Sequence, residues 1–227
     1  MKSFENFSIR QKFLALFLLG KQNVIEKYIP SDAYKPFINM LQGKNISNSL
    51  NNMLAEMAKE GSLQGVKLFQ SKGADIHANN DKASILASVR GHLEVVRYLV
   101  EQDADIHVLS DYMLIHASQN GHLEVVKYLV EQCADIHAQT DQALIVSSQN
   151  GHLEVVRYLV EQGADIHALN NVALILASMK GHLEVVRYLV DQGADIHAQN
   201  DGALKTANFN KHLEIMKYLA EQSAENV

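Results

Sequence analysis

The sequence predicts an all-α solenoid, a stack of near-identical helical units. Two observations carry that expectation. The stretch from Gly91, GHLEVVRYLVEQDAD, returns from Gly121, Gly151 and Gly181, with worn copies from Gly61 and Lys211, every start 30 residues from the last. A fixed period of this length marks an array in which each unit buries its apolar face only against its neighbours. Within the stretch, Leu93, Val96, Leu99 and Val100 recur at helical spacing, with Glu94, Arg97 and Glu101 on the other face, so each copy is an amphipathic helix. Gly91 suits a left-handed turn, because it has no Cβ to clash. A shorter helix over about 83–90 should precede it, which makes one unit two antiparallel helices and a loop.

Residues 1–48 are read as a helical N-terminal cap and residues 49–227 as the array. Ile9–Leu19 reads as a helix that is apolar most of the way round, and Val24–Ile29 as a second helix halted by Pro30. Ser31-Asp32 and Pro36 open a third, through about Leu41. An open solenoid end must be covered, which favours a cap. The alternative is a head that recruits a second protein. Leu50–Lys59 with Leu63–Gln70 form a degenerate first unit, and units follow from near Asp81, Asp111, Asp141, Asn171 and Asp201. In the last, Lys205, Thr206 and Asn208 enter the first helix and Lys211 replaces the glycine, polar changes of the kind a terminal unit requires. The tail from Glu221 is expected to fray.

Gly-His-x-x-Val-Val, then Leu, then Gly-Ala-Asp, repeated in phase, resembles the second helix and exit loop of the ankyrin repeat family over about residues 51–227. The resemblance implies an ankyrin-type solenoid that binds proteins. This period is about three residues shorter than the family's ~33, and the family's Thr-Pro-Leu-His entry is replaced, for example by Lys82-Ala83-Ser84-Ile85. The projecting finger should therefore be stubby. The shortened form is similar to the ankyrin arrays of giant DNA viruses.

Composition removes several function classes. Net charge is −6 and no block of like charge stands out, so a basic footprint for nucleic acid or an anionic membrane is missing. The lone Cys133 fits a reducing, intracellular compartment, cytoplasmic or nuclear. FLALFLLG, Phe13–Gly20, is far short of the ~20 residues of a membrane span, and no small-residue cleavage site follows it.

Histidine is the tempting residue. His92, His122, His152, His182 and His212 form one series, and His77, His107, His137, His167 and His197 another. Equivalent residues on stacked units lie roughly 8–10 Å apart, too far to share an ion held by bonds of ~2.0–2.1 Å. The rings should instead satisfy turn carbonyls; the resemblance adds that the second series ties loops together. Cys133 occupies the slot of Gly73, Gly163 and Gly193, which makes it a drifted turn residue rather than a nucleophile. Tyr98, Tyr128, Tyr158, Tyr188 and Tyr218 form a packing ladder. No catalytic, cofactor or metal site is expected, and the chain is expected to be a monomer.

The functional signal lies where the copies disagree. Second helices are nearly identical. First helices and their loops vary at Lys82, Tyr112, Gln142 and Val172; at Leu86, His116, Val146 and Leu176; at Arg90, Gln119, Asn120, Gln149, Met179 and Lys180; and at Leu109 and Leu169 in the loops. Slots 82, 86 and 89 share one helix face. The resemblance places this side on the concave binding surface. The candidate partner-binding set is Lys82, Arg90, Leu109, Tyr112, His116, Gln119, Asn120, Gln142, Gln149, Leu169, Val172, Met179 and Lys180. Exposed positions also drift freely; Tyr112, Leu109, Leu169, Val172 and Met179 favour binding, because apolar and aromatic anchors carry interface energy. The expected function is a protein-binding scaffold, with an adaptor for a second partner, such as a degradation machine, as the alternative.

Overall fold

The computed structural model describes residues 46–225. The helices expected before residue 42, and with them the choice between cap and head, lie outside the described residues. Six helix pairs make up those residues, with no strand among them. The first helices are α1 (Ile46–Lys59), α3 (Ala78–Val89), α5 (Val108–Gln119), α7 (Ala138–Gln149), α9 (Ala168–Lys180) and α11 (Ala198–Phe209). The second helices are α2 (Leu63–Ser71), α4 (Leu93–Glu101), α6 (Leu123–Glu131), α8 (Leu153–Glu161), α10 (Leu183–Asp191) and α12 (Leu213–Glu225). Each helix packs on its partner and on its equivalents in the neighbouring units, and first helices approach one another more closely than second helices do.

The second helices follow from their pattern. In α4, Val95, Val96 and Leu99 are at most 1% exposed, and the same three slots are closed in α6, α8 and α10. Glu94 and its equivalents occupy the first turn, where the helix dipole favours an acid. All but α12 end in a Schellman motif: in α4 the Asp103 N–H donates to the Val100 carbonyl and the Ala104 N–H to that of Leu99, both at 3.0 Å. The motif needs a left-handed residue. Gly163 supplies it at φ 100°, but Cys133 (φ 69°) and Asp103 (φ 68°) take the same place with a Cβ.

The first helices hold a feature the sequence did not announce. Each of α3, α5, α7, α9 and α11 opens with three consecutive left-handed residues before the right-handed turns begin. In α3 these are Asn79, Asn80 and Asp81, and in α5 Leu109, Ser110 and Asp111. This left-handed turn replaces the longer finger and is as stubby as expected. Leu109 (φ 52°) and Leu169 (φ 48°) have no intrinsic preference for the region, which costs roughly 1–2 kcal/mol per residue.

Two contacts between units hold the stack in register. The ring of each second-helix histidine lies across the glycine turn of the preceding unit. A Cβ at Gly121 would lie 2.5 Å from His152 Nδ1, and one at Gly91 2.5 Å from His122 Nδ1. The Nε2–H of His122 donates to the Val89 carbonyl at 2.9 Å, as His92, His152, His182 and His212 do to theirs. At the loop edge, Asp111 Oδ1 accepts from the Asp135 N–H of the next unit at 2.9 Å, and Asp141 from Asp165 at 2.8 Å. Asn171 and Asn51 do the same with amide oxygens.

The last unit departs from the others on its downstream side. Ser88, Ser118, Ser148 and Ser178 are fully buried, whereas Asn208 in that slot is exposed. Lys205 is exposed where the internal units hold isoleucine. Within the tail expected to fray from Glu221, α12 runs on to Glu225. Ser223 stands where the other units hold a left-handed residue, so nothing turns the chain out of the helix.

The geometry at residue 133 gives a direct test. Cys133 is exposed, and its equivalents Gly73, Gly163 and Gly193 have nothing within 4 Å of a Cβ, so only backbone strain is at issue. Relief of the left-handed strain is partly offset by the greater unfolded-state freedom of glycine. Cys133→Gly should stabilise the array by about 0.5 kcal/mol. The gain should exceed that of Asp103→Gly, because Asp tolerates the region better. Denaturant midpoints of the two variants beside the parent decide it.

Candidate functional site

The site is built on the interlocked frame, and the first question is what the frame consumes. The loop histidines are each held through Nδ1. The Nδ1–H of His107 donates to Asp111 Oδ1 at 3.0 Å, with His77–Asp81 at 2.9 Å, His137–Asp141 at 3.0 Å and His197–Asp201 at 2.7 Å. His167 meets Asn171 at 3.2 Å. The sequence predicts carbonyl acceptors for both histidine series. That holds for the series at 92, but the series at 77 donates to carboxylates and one amide. Among the described residues no group of three or more His, Cys, Asp or Glu could hold a metal ion.

Asp81, Asp111 and Asp141 are each 5% exposed. These carboxylates accept from the histidine four residues earlier and from the next unit's loop, which offsets the cost of burying their charge. None of these aspartates is among the contacts that the sequence singles out. The signal was present: between the variable residues at 79, 80 and 82, the slot stays Asp or Asn in every unit.

The tyrosine ladder is also structural. Arg97 lies over the Tyr128 ring at 4.8 Å, Arg157 over Tyr188 at 4.7 Å, Arg187 over Tyr218 at 4.8 Å and Lys67 over Tyr98 at 4.8 Å. The Tyr98 hydroxyl donates to Gln70 Oε1. Burial pushes the Tyr128, Tyr158 and Tyr188 hydroxyls above their usual range, Glu101, Glu131 and Glu161 push the same way, and Arg97, Lys127 and Arg157 oppose.

What remains uncommitted is the outward face of the first helices and the left-handed turns. Leu109 and Leu169 are 53% and 55% exposed and Tyr112 is 36% exposed. The Tyr112 ring packs on His116 with centroids 4.0 Å apart. Lys82, Arg90, Gln119, Asn120 and Lys180 are exposed, while His116, Gln142, Gln149, Val172 and Met179 are half-buried. Not every candidate is free. The Asn120 amide turns back to the His116 carbonyl at 2.8 Å, and the backbone carbonyls of Gln119, Gln149 and Met179 accept from the next unit's histidine. Gln139 and Gln199 also turn back, donating to carbonyls of the preceding turn, which leaves Leu109 and Leu169 as the projecting turn residues.

The comparisons agree with this architecture. The family described as Ankyrin repeats (3 copies) matches residues 108–170 and 167–227, and Ankyrin repeats (many copies) matches residues 83–130. The chain belongs to the ankyrin repeat family. Ankyrin repeats are general protein–protein interaction modules and the family is typically a non-catalytic scaffold. No curated protein gives a significant match. Among the described residues of this ankyrin array, no helix is long and apolar enough to cross a membrane.

Two predictions come from this geometry. Asp141→Ala leaves the His137 ring and the Asp165 N–H without their shared acceptor and should cost about 1–3 kcal/mol. Asp141→Asn should cost less than half as much, since Asn171 serves in the same slot; urea melts of the pair test the order. Burial lowers the pKa of His116 below its usual value, only partly countered by a hydrogen bond with Gln119. The folded array therefore binds this proton later than the unfolded chain. The stability that neutral His116 contributes is present above about pH 6.5 and is lost as the pH falls below it. His116→Leu, the residue found at 86 and 176, should lose less melting temperature than the parent between about pH 7.5 and 5.5.

Proposed function

We propose that this ankyrin array binds a protein partner across the exposed face of its first helices and left-handed turns, centred on Leu109, Tyr112, His116, Leu169, Val172 and Met179. One observation carries the reading. In the internal units, the large apolar side chains that stand exposed, Leu109, Tyr112 and Leu169, all occupy slots that differ from unit to unit, whereas the outward residues of the second helices repeat. An exposed apolar residue at a position free to vary is what a specific contact requires, and solubility alone would replace it with a polar one. The closer approach of the first helices to one another supports their lying on the inner side of the stack, where a ligand meets several units at once. The remaining candidates, Lys82, Arg90, Gln119, Asn120, Gln142, Gln149 and Lys180, surround this centre as a polar and cationic rim.

The test pairs function with folding. Tyr112→Ala and Met179→Ala should each weaken binding to a partner recovered by crosslinking in cells by about 1–2 kcal/mol, with helicity by circular dichroism unchanged. Unaltered affinity in both variants would place the contact elsewhere.

A further inference from the structure

We propose that the occupant of the first-helix face is an acidic protein segment carrying an aromatic or aliphatic residue near its middle. The inference rests on the reading above and adds the chemistry of the partner. The chain holds 26 Asp and Glu against 20 Lys and Arg, for a net charge of −6. Slots 79, 80, 82, 86, 89 and 90 and their equivalents, through all five units from Asn79 to Asn210, nevertheless contain no Asp or Glu, while they include Lys82, Arg90 and Lys180. These three cations are exposed. The acids of the first helices in the same units are withdrawn. Asp81, Asp111 and Asp141 are buried with their Oδ1 atoms accepting two hydrogen bonds, and Asp201, at the end of the stack, is half-buried against His197.

The missing acids lie elsewhere. Glu94, Glu101, Glu124, Glu154 and Glu184 stand exposed on the second helices. The exposed loop aspartates Asp105, Asp135 and Asp165 fringe the turns, but each turns an oxygen back onto the N–H of the histidine two residues on. The protein is thus acidic over its second helices, while the variable slots of the first-helix face carry no acid and the loop aspartates only border it. An acidic ligand is attracted there and repelled from the rest of the surface, which sets both orientation and encounter rate.

Geometry fixes the pattern within the ligand. Lys82 and Arg90 belong to the second unit and Lys180 to the fifth, three steps of roughly 8–10 Å away. An extended segment of about eight or nine residues spans that distance at ~3.3 Å per residue. Between the cationic ends lie Tyr112, packed on His116, and the exposed Leu109. Acidic residues toward the ends and an apolar residue between them match this layout. A nucleic acid matches it less well, since one strand carries a charge every ~3.4 Å and the middle of the face is uncharged.

The probe is a phage library of random peptides of about 16 residues, long enough to span the face extended, panned on the immobilised full chain. Enriched peptides should be net negative with a central Tyr, Phe, Leu or Ile. Their affinity should fall at least fivefold between about 50 and 300 mM NaCl, and about tenfold in the double variant Lys82→Glu, Lys180→Glu, whose melting temperature is checked beside the parent. Neutral or basic peptides that lose binding on Tyr112→Ala overturn the acidic partner and keep the binding face. Acidic peptides indifferent to both Tyr112→Ala and the charge reversal sink the face itself. Binding of fluorescein-labelled oligo(U) that the charge reversal abolishes would overturn the protein segment in favour of nucleic acid.

Discussion

The array depends on a ring laid over a turn. Each second-helix histidine occupies the space that a side chain on the preceding unit's glycine would need, at 2.5–2.8 Å from the position a Cβ would take at Gly61, Gly91, Gly121, Gly151 and Gly181. The glycine is therefore required twice, once for its positive φ and once for its empty face. The histidine is required for reach, because its Nε2 must meet a carbonyl 33 residues earlier. Apolar packing alone leaves a helix free to slide along its neighbour. A directional bond seated in a fitted recess does not. The aspartate at slot 81 adds a second fixed point at the opposite edge of each unit. Two separated points per interface set both the spacing and the rotation of one unit on the next.

This arrangement explains which features were legible in the sequence. The period, the second helices and the turns at Gly91 and Gly121 could be read because the same residues must recur wherever the same contact recurs. The strain at Cys133 was legible for the same reason, since its slot holds glycine in three other units. The triple left-handed turn was not. Its residues are Asn-Asn-Asp, Leu-Ser-Asp, Gln-Thr-Asp, Leu-Asn-Asn and Gln-Asn-Asp, with no glycine, and the local preferences of Leu and Gln oppose the conformation. Long-range bonds to the Asp or Asn at its end select it, and these join residues 24 apart. The candidate face was half legible. Variation between copies located its slots, but not that His116 is lowered in pKa beneath Tyr112 or that Asn120 is spent on its own helix, because those depend on neighbours within the fold.

A frame that is fixed at a few slots leaves the others free. First-helix residues outside the histidine, glycine and aspartate contacts can change without altering the pitch, so each unit can present different chemistry from the same position in space. This bears on Leu109 and Leu169. Their backbone is forced left-handed by the turn whatever side chain they carry, so the strain of about 1–2 kcal/mol is set by the frame. Replacing Leu109 by a residue other than Gly, Asn or Asp would recover little of it. Selection on the side chain is then free to follow what the side chain touches.

The same contact is altered in the sixth unit. Lys211 keeps the left-handed turn at φ 62° but restores a Cβ at the place a following histidine would need. Asn208 enlarges a slot where the internal units hold a buried serine, and Lys205 puts a charge in place of isoleucine. A histidine seated here as at the internal glycines would meet that Cβ. Yet the end is not fully polar, for Phe209 and Leu213 stand 86% and 72% exposed. Leu213 retains the residue of Leu93 and Leu183 because its helix still has to pack inward on the preceding unit through Ile215 and Leu219, which are 1% and 2% exposed, and a helix selected for that face carries its neighbouring apolar residues with it. The sixth unit thus loses the histidine–glycine fit and keeps the hydrophobic pattern that builds each helix.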